Sequence, residues 1–315
     1  MKARPVHLCR ILCLFSIIWV SCVSPHNTGT SVIVDTDMGL DDVRTIILLL
    51  HSPDIRIEGI VVTEGASDID AGVENARRLL AHFDSSHIPV VRGVDPDIPT
   101  PPWREHSNAM GWVHERIDMP LVPKATIQPA NLNELIQELN PGTPLLHPLE
   151  GAIYYLGLGP LSTLAETLEA NPQLPRHISQ VYFSGTGPGL LPSWNQVCDP
   201  EAYKVVKAAP WNFVAFGRPD PEETTLTADF IEKLSKIDTP SARFIAALHQ
   251  APHIDRLLQV GHLKMWDDPI ALFLNQPELG IISEISDENR VYQLTDWDTE
   301  VAEALYLSLI SGDNP

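Results

Sequence analysis

The sequence predicts an α/β protein with a mostly parallel central sheet and helices on both of its faces. Three observations carry this. From residue 31 onward, short apolar runs alternate with helix-length amphipathic segments. Hydrophobic residues make up 44% of the 315 residues and charged ones 20%, the composition of a globular chain with material for a large core. No internal repeat and no clear linker divides the region, so residues 31–315 are assigned to a single domain.

The elements follow in order. SVIVDTD is a strand and DDVRTIILLLHS its helix; IEGIVVT and DAGVENARRLLAHF repeat the pattern, and IPVVRG adds a third strand. DIPTPPWREHSNAMGW, rich in proline and aromatics, is expected to be a long loop and a candidate lid. Next come a helix around NLNELIQEL, the strand GAIYYLGLG, the helix PLSTLAETLEA, the strand HISQVYFSG and a helix from DPEAYKVVKAA. The strand NFVAFG precedes helices around 227–249 and 267–274.

The first 22 residues begin with Lys2, Arg4 and Arg10 and continue into an apolar run from Ile11 to Val20, the layout of a secretory signal. That run is short for a membrane span. Its end, WVSC, resembles a bacterial lipoprotein signal, which places a lipid on Cys22; cleavage without lipid is the alternative. Residues 23–30 then form a tether, and the protein is expected to be exported to a bacterial envelope or periplasm, touching membrane through that lipid alone. Of the four cysteines, Cys9, Cys13 and Cys22 belong to this segment, so Cys198 has no internal disulfide partner and is expected to be a small buried residue. The formal charge of -20, from 41 acidic and 21 basic side chains, argues against nucleic acid as a partner and is compatible with divalent cations.

SVIVDTDMGLDD is the most informative stretch, because it places Asp35, Asp37, Asp41 and Asp42 at the end of a strand and the start of a helix. Asp35 and Asp37 are two residues apart and share a face, Gly39 is expected to turn the chain, and Asp41 and Asp42 sit on the helix's first turn. Capping of the helix dipole accounts for two of these acids. Two like charges about 4 Å apart repel by about 1 kcal/mol in water and about 4 kcal/mol at an effective dielectric of 20, so four of them call for a cation or for protons. Carboxylate oxygens suit Ca2+ or Mg2+ better than zinc, and open α/β sheets bind ligands beyond the carboxyl ends of their strands. A strand ending in D-x-D also begins haloacid-dehalogenase-type phosphatases, but Gly39 stands where they usually carry Thr or Val, and the downstream motifs differ.

DTDMGLDDVRTIILLL resembles the D-x-D-P-G-x-D-D-A signature of the nucleoside hydrolase family, with Met38 for Pro and Val43 for Ala. IEGIVVTEGASDIDAGVENARRLL, VVRG, YYLGLGPLSTLAETL, WNQVCDPEAYKVV and WDDPIALF match in the same order, over most of residues 31–275. The resemblance implies a nucleoside-hydrolase-like, Rossmann-like architecture and calcium-dependent hydrolysis of the N-glycosidic bond of a ribonucleoside or related riboside by metal-activated water. Carried over, it makes Asp37, Asp42, Asp268 and the carbonyl of Leu158 the Ca2+ ligands, Asp37 also the base, Asp35 an orienting acid and Asp41 the acceptor from ribose hydroxyls. Asn195 matches an asparagine that holds the sugar, and Trp194 and Trp266 flank the pocket, as stacking or as packing residues. The family usually forms dimers or tetramers, so a homodimer or homotetramer is implied.

Three positions depart from the family pattern. Ala66 replaces an asparagine, Ser193 replaces a glutamate that grips the ribose hydroxymethyl, and Asp267 stands where purine-active members carry the histidine that protonates the departing base. An ordinary carboxyl would be ionised at neutral pH and could donate a proton only if its pKa were raised by burial or by Asp268. His106, His249, His253 and His262 are substitute candidates. These losses keep a second expectation open, a non-catalytic, calcium-dependent sugar or nucleoside binder of the same fold.

Overall fold

The computed structural model describes residues 29–109, 117, 119–122, 128–139, 153–187, 190–217, 224–286 and 290–312. The expected signal segment, 1–22, and residues 23–28 of the expected tether lie outside these residues, while Thr30, expected to end the tether, already opens the first strand. Among the described residues, no helix is long and apolar enough to cross a membrane.

The alternation read from the sequence is realised as strand–helix units. β1 (Thr30–Thr36) leads into α1 (Leu40–Leu50), β2 (Ile55–Val62) into α2 (Ile69–His82), and β3 (Val90–Arg92) into α3 (Arg104–Ala109) and α4 (Leu132–Leu139). β4 (Ile153–Gly157) is followed by α5 (Ser162–Ala170), and β5 (Ile178–Thr186) by α6 (Trp194–Cys198) and α7 (Pro200–Ala208). After β6 (Asn212–Gly217) come α8 (Ala228–Ser235), α9 (Pro240–His249), α10 (Pro252–Gln259) and α11 (Asp268–Asn275), then β7 (Gly280–Ser286), β8 (Val291–Trp297) and α12 (Thr299–Ser311).

The eight strands form one sheet in the order β3-β2-β1-β4-β5-β6-β8-β7. All neighbours are parallel except the β7–β8 pair at one edge. Chain order runs outward from β1 to β3 in one direction and from β4 to β6 in the other, so the crevice between β1 and β4 is the point at which crossovers change face, the place where doubly wound sheets bind ligands. Both sheet faces are covered. Val32 and Val34 of β1 join one apolar cluster with α1, α9 and α11, while Ile33 joins another with Val61, Tyr155 and Phe183. Burial on both sides explains the unbroken apolar runs of the inner strands.

Four features differ from the sequence expectation. The proline-rich segment contains the helix α3, opened by a turn in which Arg104 N donates to Pro101 O; its continuation, 110–116, lies outside the described residues. The helical stretch 227–249 is two helices, because Thr239 caps α9 and Pro240 begins it, which ends α8 beforehand. The helix α10 was not foreseen. Nor was the C-terminal hairpin β7–β8 with α12, whose edge strand is largely exposed and interrupted by bulges, leaving a weak period-two pattern.

Candidate active site

Strand β1 delivers Asp35 to the carboxyl end of the sheet, where it is fully buried. Thr63 Oγ1 donates to it at 2.6 Å and the Tyr155 hydroxyl at 2.5 Å. Burial outweighs these donors and pushes the Asp35 carboxyl up to about 7. The chain then turns at Met38, whose φ of 57° lies in the left-handed region, while Gly39 has an ordinary φ of -65°. The turn expected at Gly39 is therefore made one residue earlier. Gly39 is required for space instead, since a Cβ there would stand 2.9 Å from both Asp41 Oδ1 and Asp42 Oδ2.

Asp42 lies buried in the first turn of α1 and accepts from Thr36 Oγ1 at 2.5 Å and from the backbone N–H groups of Asp37 and Gly39 at 3.1 Å. Part of its task is thus helix capping. Asp37 is enclosed by the loop after β2: Ser67 Oγ donates to its carbonyl at 2.7 Å, and a Cβ on Gly65 would stand 2.2 Å from Asp37 Oδ2. Burial first, then the charges of Asp42 and Asp41, raise the Asp37 carboxyl well above the ordinary range. Asp41, partly exposed at the site, is pushed up to about 7 by burial and by Asp42, against the opposing charge of Arg44.

Asp267, at the N-terminus of α11, completes the cluster. Ligand oxygens of Asp41, Asp42 and Asp267 all lie within 4.8 Å of one another. Ser184 donates to Asp267 Oδ1, while the buried Oδ2 finds no hydrogen-bond partner among the described residues. Burial and the charges of Asp41 and Asp42 hold the Asp267 carboxyl far above its ordinary value. An orphaned buried oxygen on a carboxylate that is clustered with others fits a hard divalent cation, and the donor set is entirely oxygen.

Asp268, expected as a ligand, is paired with Arg44: its Oδ1 accepts from Arg44 Nε at 3.1 Å and its Oδ2 from Arg44 Nη2 at 2.9 Å, both side chains being fully buried. Asp267, expected at the place of a proton donor, lies beside Asp41 and Asp42. The Leu158 carbonyl lies at the end of β4 and accepts from Asn195 Nδ2 at 2.6 Å, which also donates to Ser184 O at 3.0 Å. Asn195 is thus brought to the same crevice, with its amide group engaged by two backbone carbonyls.

The rim is aromatic. Trp194 opens α6 and packs edge-on against Trp103 with ring centroids 5.2 Å apart, its buried Nε1 unpartnered among the described residues. Trp266 directly precedes Asp267 and is 44% exposed. Helix α3 is anchored at this edge by Arg104, which donates to Gly65 O at 3.0 Å and pairs with Glu64 at 2.7 Å and with Asp68. Because Gly65 abuts Asp37 and Trp103 packs on Trp194, Trp103 is placed at the site's border. His106 stacks on His253 of α10 with centroids 4.4 Å apart. His249 is buried against Arg44 and held neutral at about 3, which removes it as a proton donor. Ala66 contributes its backbone to Asp37 and Ser193 precedes α6, so neither supplies the side-chain contact that the family pattern would place there. Cys198 is free and buried, its thiol pushed up to about 12 by burial, and is no nucleophile. Arg44, Ser184, Thr63 and Tyr155 are site residues that sequence reasoning passed over.

Known proteins share both sequence and architecture with this chain. The pyrimidine-specific ribonucleoside hydrolase RihA of Escherichia coli O1:K1 / APEC is 25% identical over 224 residues, 69% of either chain. The protein of that description from Enterobacter sp. (strain 638) is 25% identical over 263 residues, 79% of this chain and 80% of its own. The plant nucleoside hydrolase PpNRh1 has this fold at a TM-score of 0.75 and 18% identity, over 90% of this chain and 99% of its own. The inosine-uridine preferring nucleoside hydrolase from Bacillus anthracis gives a TM-score of 0.70 at 20% identity, over 90% and 99%. The model of the inosine-uridine preferring nucleoside hydrolases matches residues 32–294, from the first strand to the last and through every carboxylate of the cluster, so the chain belongs to that family and is an N-glycosyl hydrolase.

Proposed function

We propose that this protein hydrolyses the C–N bond of a ribonucleoside or related riboside with Ca2+ held by Asp37, Asp42, Asp267 and the carbonyl of Leu158. The observation that carries the reading is the cluster of Asp41, Asp42 and Asp267 at the sheet's crevice, beside which Asp37 feels the charges of Asp42 and Asp41, with one buried oxygen of Asp267 unpartnered among the described residues. Bound Ca2+ supplies the positive charge that lets the carboxylates stay ionised together and polarises the oxygens around it.

The chain's own residues account for the other parts of the reaction. Asp41, partly exposed at the mouth, accepts hydrogen bonds from ribose hydroxyls and fixes the anomeric carbon, a contribution from positioning. The C1'–N bond breaks with its electron pair leaving on the base, the sugar passes through an oxocarbenium-like state, and the surrounding carboxylates stabilise that positive charge. Water forms the new bond to C1' and its proton passes to Asp37. Asp267 belongs to the cation cluster in this reading, so it does not protonate the departing base. The favoured substrates are therefore those whose base leaves with little help from an acid. Trp194 and Trp266 border the space where the base would lie and would stack on it.

Incubation with uridine, cytidine, inosine and adenosine, with release of free ribose measured, tests the reading. Ribose and free base in equal amounts are expected, with pyrimidine nucleosides the first to try given the names of the curated relatives. Calcium binding without ribose from any riboside would replace the hydrolase by a sugar-binding protein. The segment ending at Cys22 is proposed as an export signal with a lipid on that cysteine; recovery of the mature protein in the membrane fraction, with a lipid mass on its first residue, checks this.

A further inference from the structure

Arg44 lies in an apolar helix face, between Val43 and Ile46, and is fully buried. A guanidinium in such a place must be paired and hydrogen-bonded. Its partners come from three separate segments. Nε and Nη2 form a two-pronged bond to Asp268, at 3.1 and 2.9 Å. Nη2 also donates to the carbonyl of Lys264 at 2.8 Å. Nη1 meets His249 Nε2 at 3.3 Å, and His249 Nδ1 lies 2.7 Å from Ile245 O. The carbonyl requires Nδ1 to carry the hydrogen, which leaves Nε2 to accept from Arg44.

Asp268 is the first residue of α11, and Asp267 is its N-cap, in the helical region of backbone space. Fixing the carboxylate of Asp268 on one side of that helix end determines where the preceding residue points. Asp267 points to Asp41 and Asp42. The planar fork of arginine suits this task, because two parallel bonds fix orientation as well as distance.

We infer that Arg44 is a positioning residue for the cation cluster: by gripping Asp268 it sets the N-terminus of α11 so that Asp267 faces Asp41 and Asp42, and its charge backs the cluster from inside the core. The inference rests on the reading of that cluster as a calcium site. Arg44 touches neither the cation nor the substrate.

The test is calcium affinity by titration calorimetry, with thermal melting in chelator as the control for folding. The double variant R44M/D268L replaces the buried pair by apolar side chains of similar size, a change that cores tolerate. It is expected to melt near the native protein in chelator yet to bind Ca2+ at least about tenfold more weakly, the usual loss when a residue behind a ligand is removed. Asp267→Asn should weaken binding strongly in the native background and much less in the double variant, because Asp267 is no longer aimed at the cluster. A folded double variant with native Ca2+ affinity, or equal effects of Asp267→Asn in both backgrounds, would overturn the inference and leave the pair as a fold element. Should the double variant not fold, Arg44→Lys decides: it keeps the charge without the fork, so weakened Ca2+ binding supports the inference and native affinity overturns it. Failure of the native protein itself to bind Ca2+ would remove the calcium reading, and the inference with it.

Discussion

At Asp267 one carboxylate oxygen accepts from Ser184, the other has no partner among the described residues, and the carboxylate lies within reach of Asp41 and Asp42. Removing charge from such a group reads out directly in cation binding. Asp42→Ala is expected to abolish Ca2+ binding in calorimetry, and Asp267→Asn to weaken it about a hundredfold; native affinity in either would exclude that residue as a ligand. The cation-free protein has a second signature. Asp35 and Asp41 titrate near 7 when folded, against an ordinary 3.8, so between those values the folded state holds protons that the unfolded chain has lost. Stability is then greatest below the ordinary value and falls as pH rises towards about 7. Melting without cation should therefore come at a higher temperature near pH 5 than near pH 8, with the difference shrinking when Ca2+ is added, since Ca2+ replaces the protons. The four acids of the first motif were legible because their crowding demands an explanation in charge. The placement of Asp267 beside Asp41 and Asp42 was not, because Asp268 next to it is paired with Arg44, 224 positions away from Asp268 in the chain, a contact that only the fold makes.

Among the elements, the loop from β2 to α2 bears most closely on the site. Gly65 lies against Asp37 so tightly that a methyl group would meet Oδ2 at 2.2 Å and the Asp37 Cβ at 2.5 Å, so the whole carboxylate side chain would have to move. Gly65→Ala is expected to lower kcat/KM about a hundredfold while the protein still folds, because a displacement of about 1 Å at a reacting group has that order of effect. Unchanged kinetics would show that Asp37 tolerates the shift and is not the base. The elements that build the crevice were readable from apolar runs and their spacing, since strands buried on both faces leave unbroken hydrophobic stretches. Those that escaped notice have weak local signals. Helix α3 is six residues long behind two prolines, and β7 is exposed at an edge and bent by bulges.

At the scale of the molecule, the parallel sheet brings the ends of β1, β2, β4 and β5 and the start of α11 to one crevice, and no two of those segments are adjacent in the chain. A cation bound there ties them together in the folded state alone. At a hundred times its dissociation constant it stabilises the fold by about 2.7 kcal/mol, so Ca2+ should raise the melting temperature at neutral pH by several degrees over chelator. An unchanged melting temperature would mean that no cation binds the native site. The fold class and the family motifs were legible because hydrophobic period and motif order are properties of the chain, whereas the aromatic border of Trp103, Trp194 and Trp266 exists only after folding.

The central claim is that this cluster, with Ca2+, breaks a riboside bond without an acid for the leaving group. The direct measurement is release of p-nitrophenolate from p-nitrophenyl riboside, whose leaving group needs no proton, in calcium and in chelator. Turnover that is lost in chelator and returns with added Ca2+ is the predicted result. No turnover by protein shown to hold Ca2+ would contradict it.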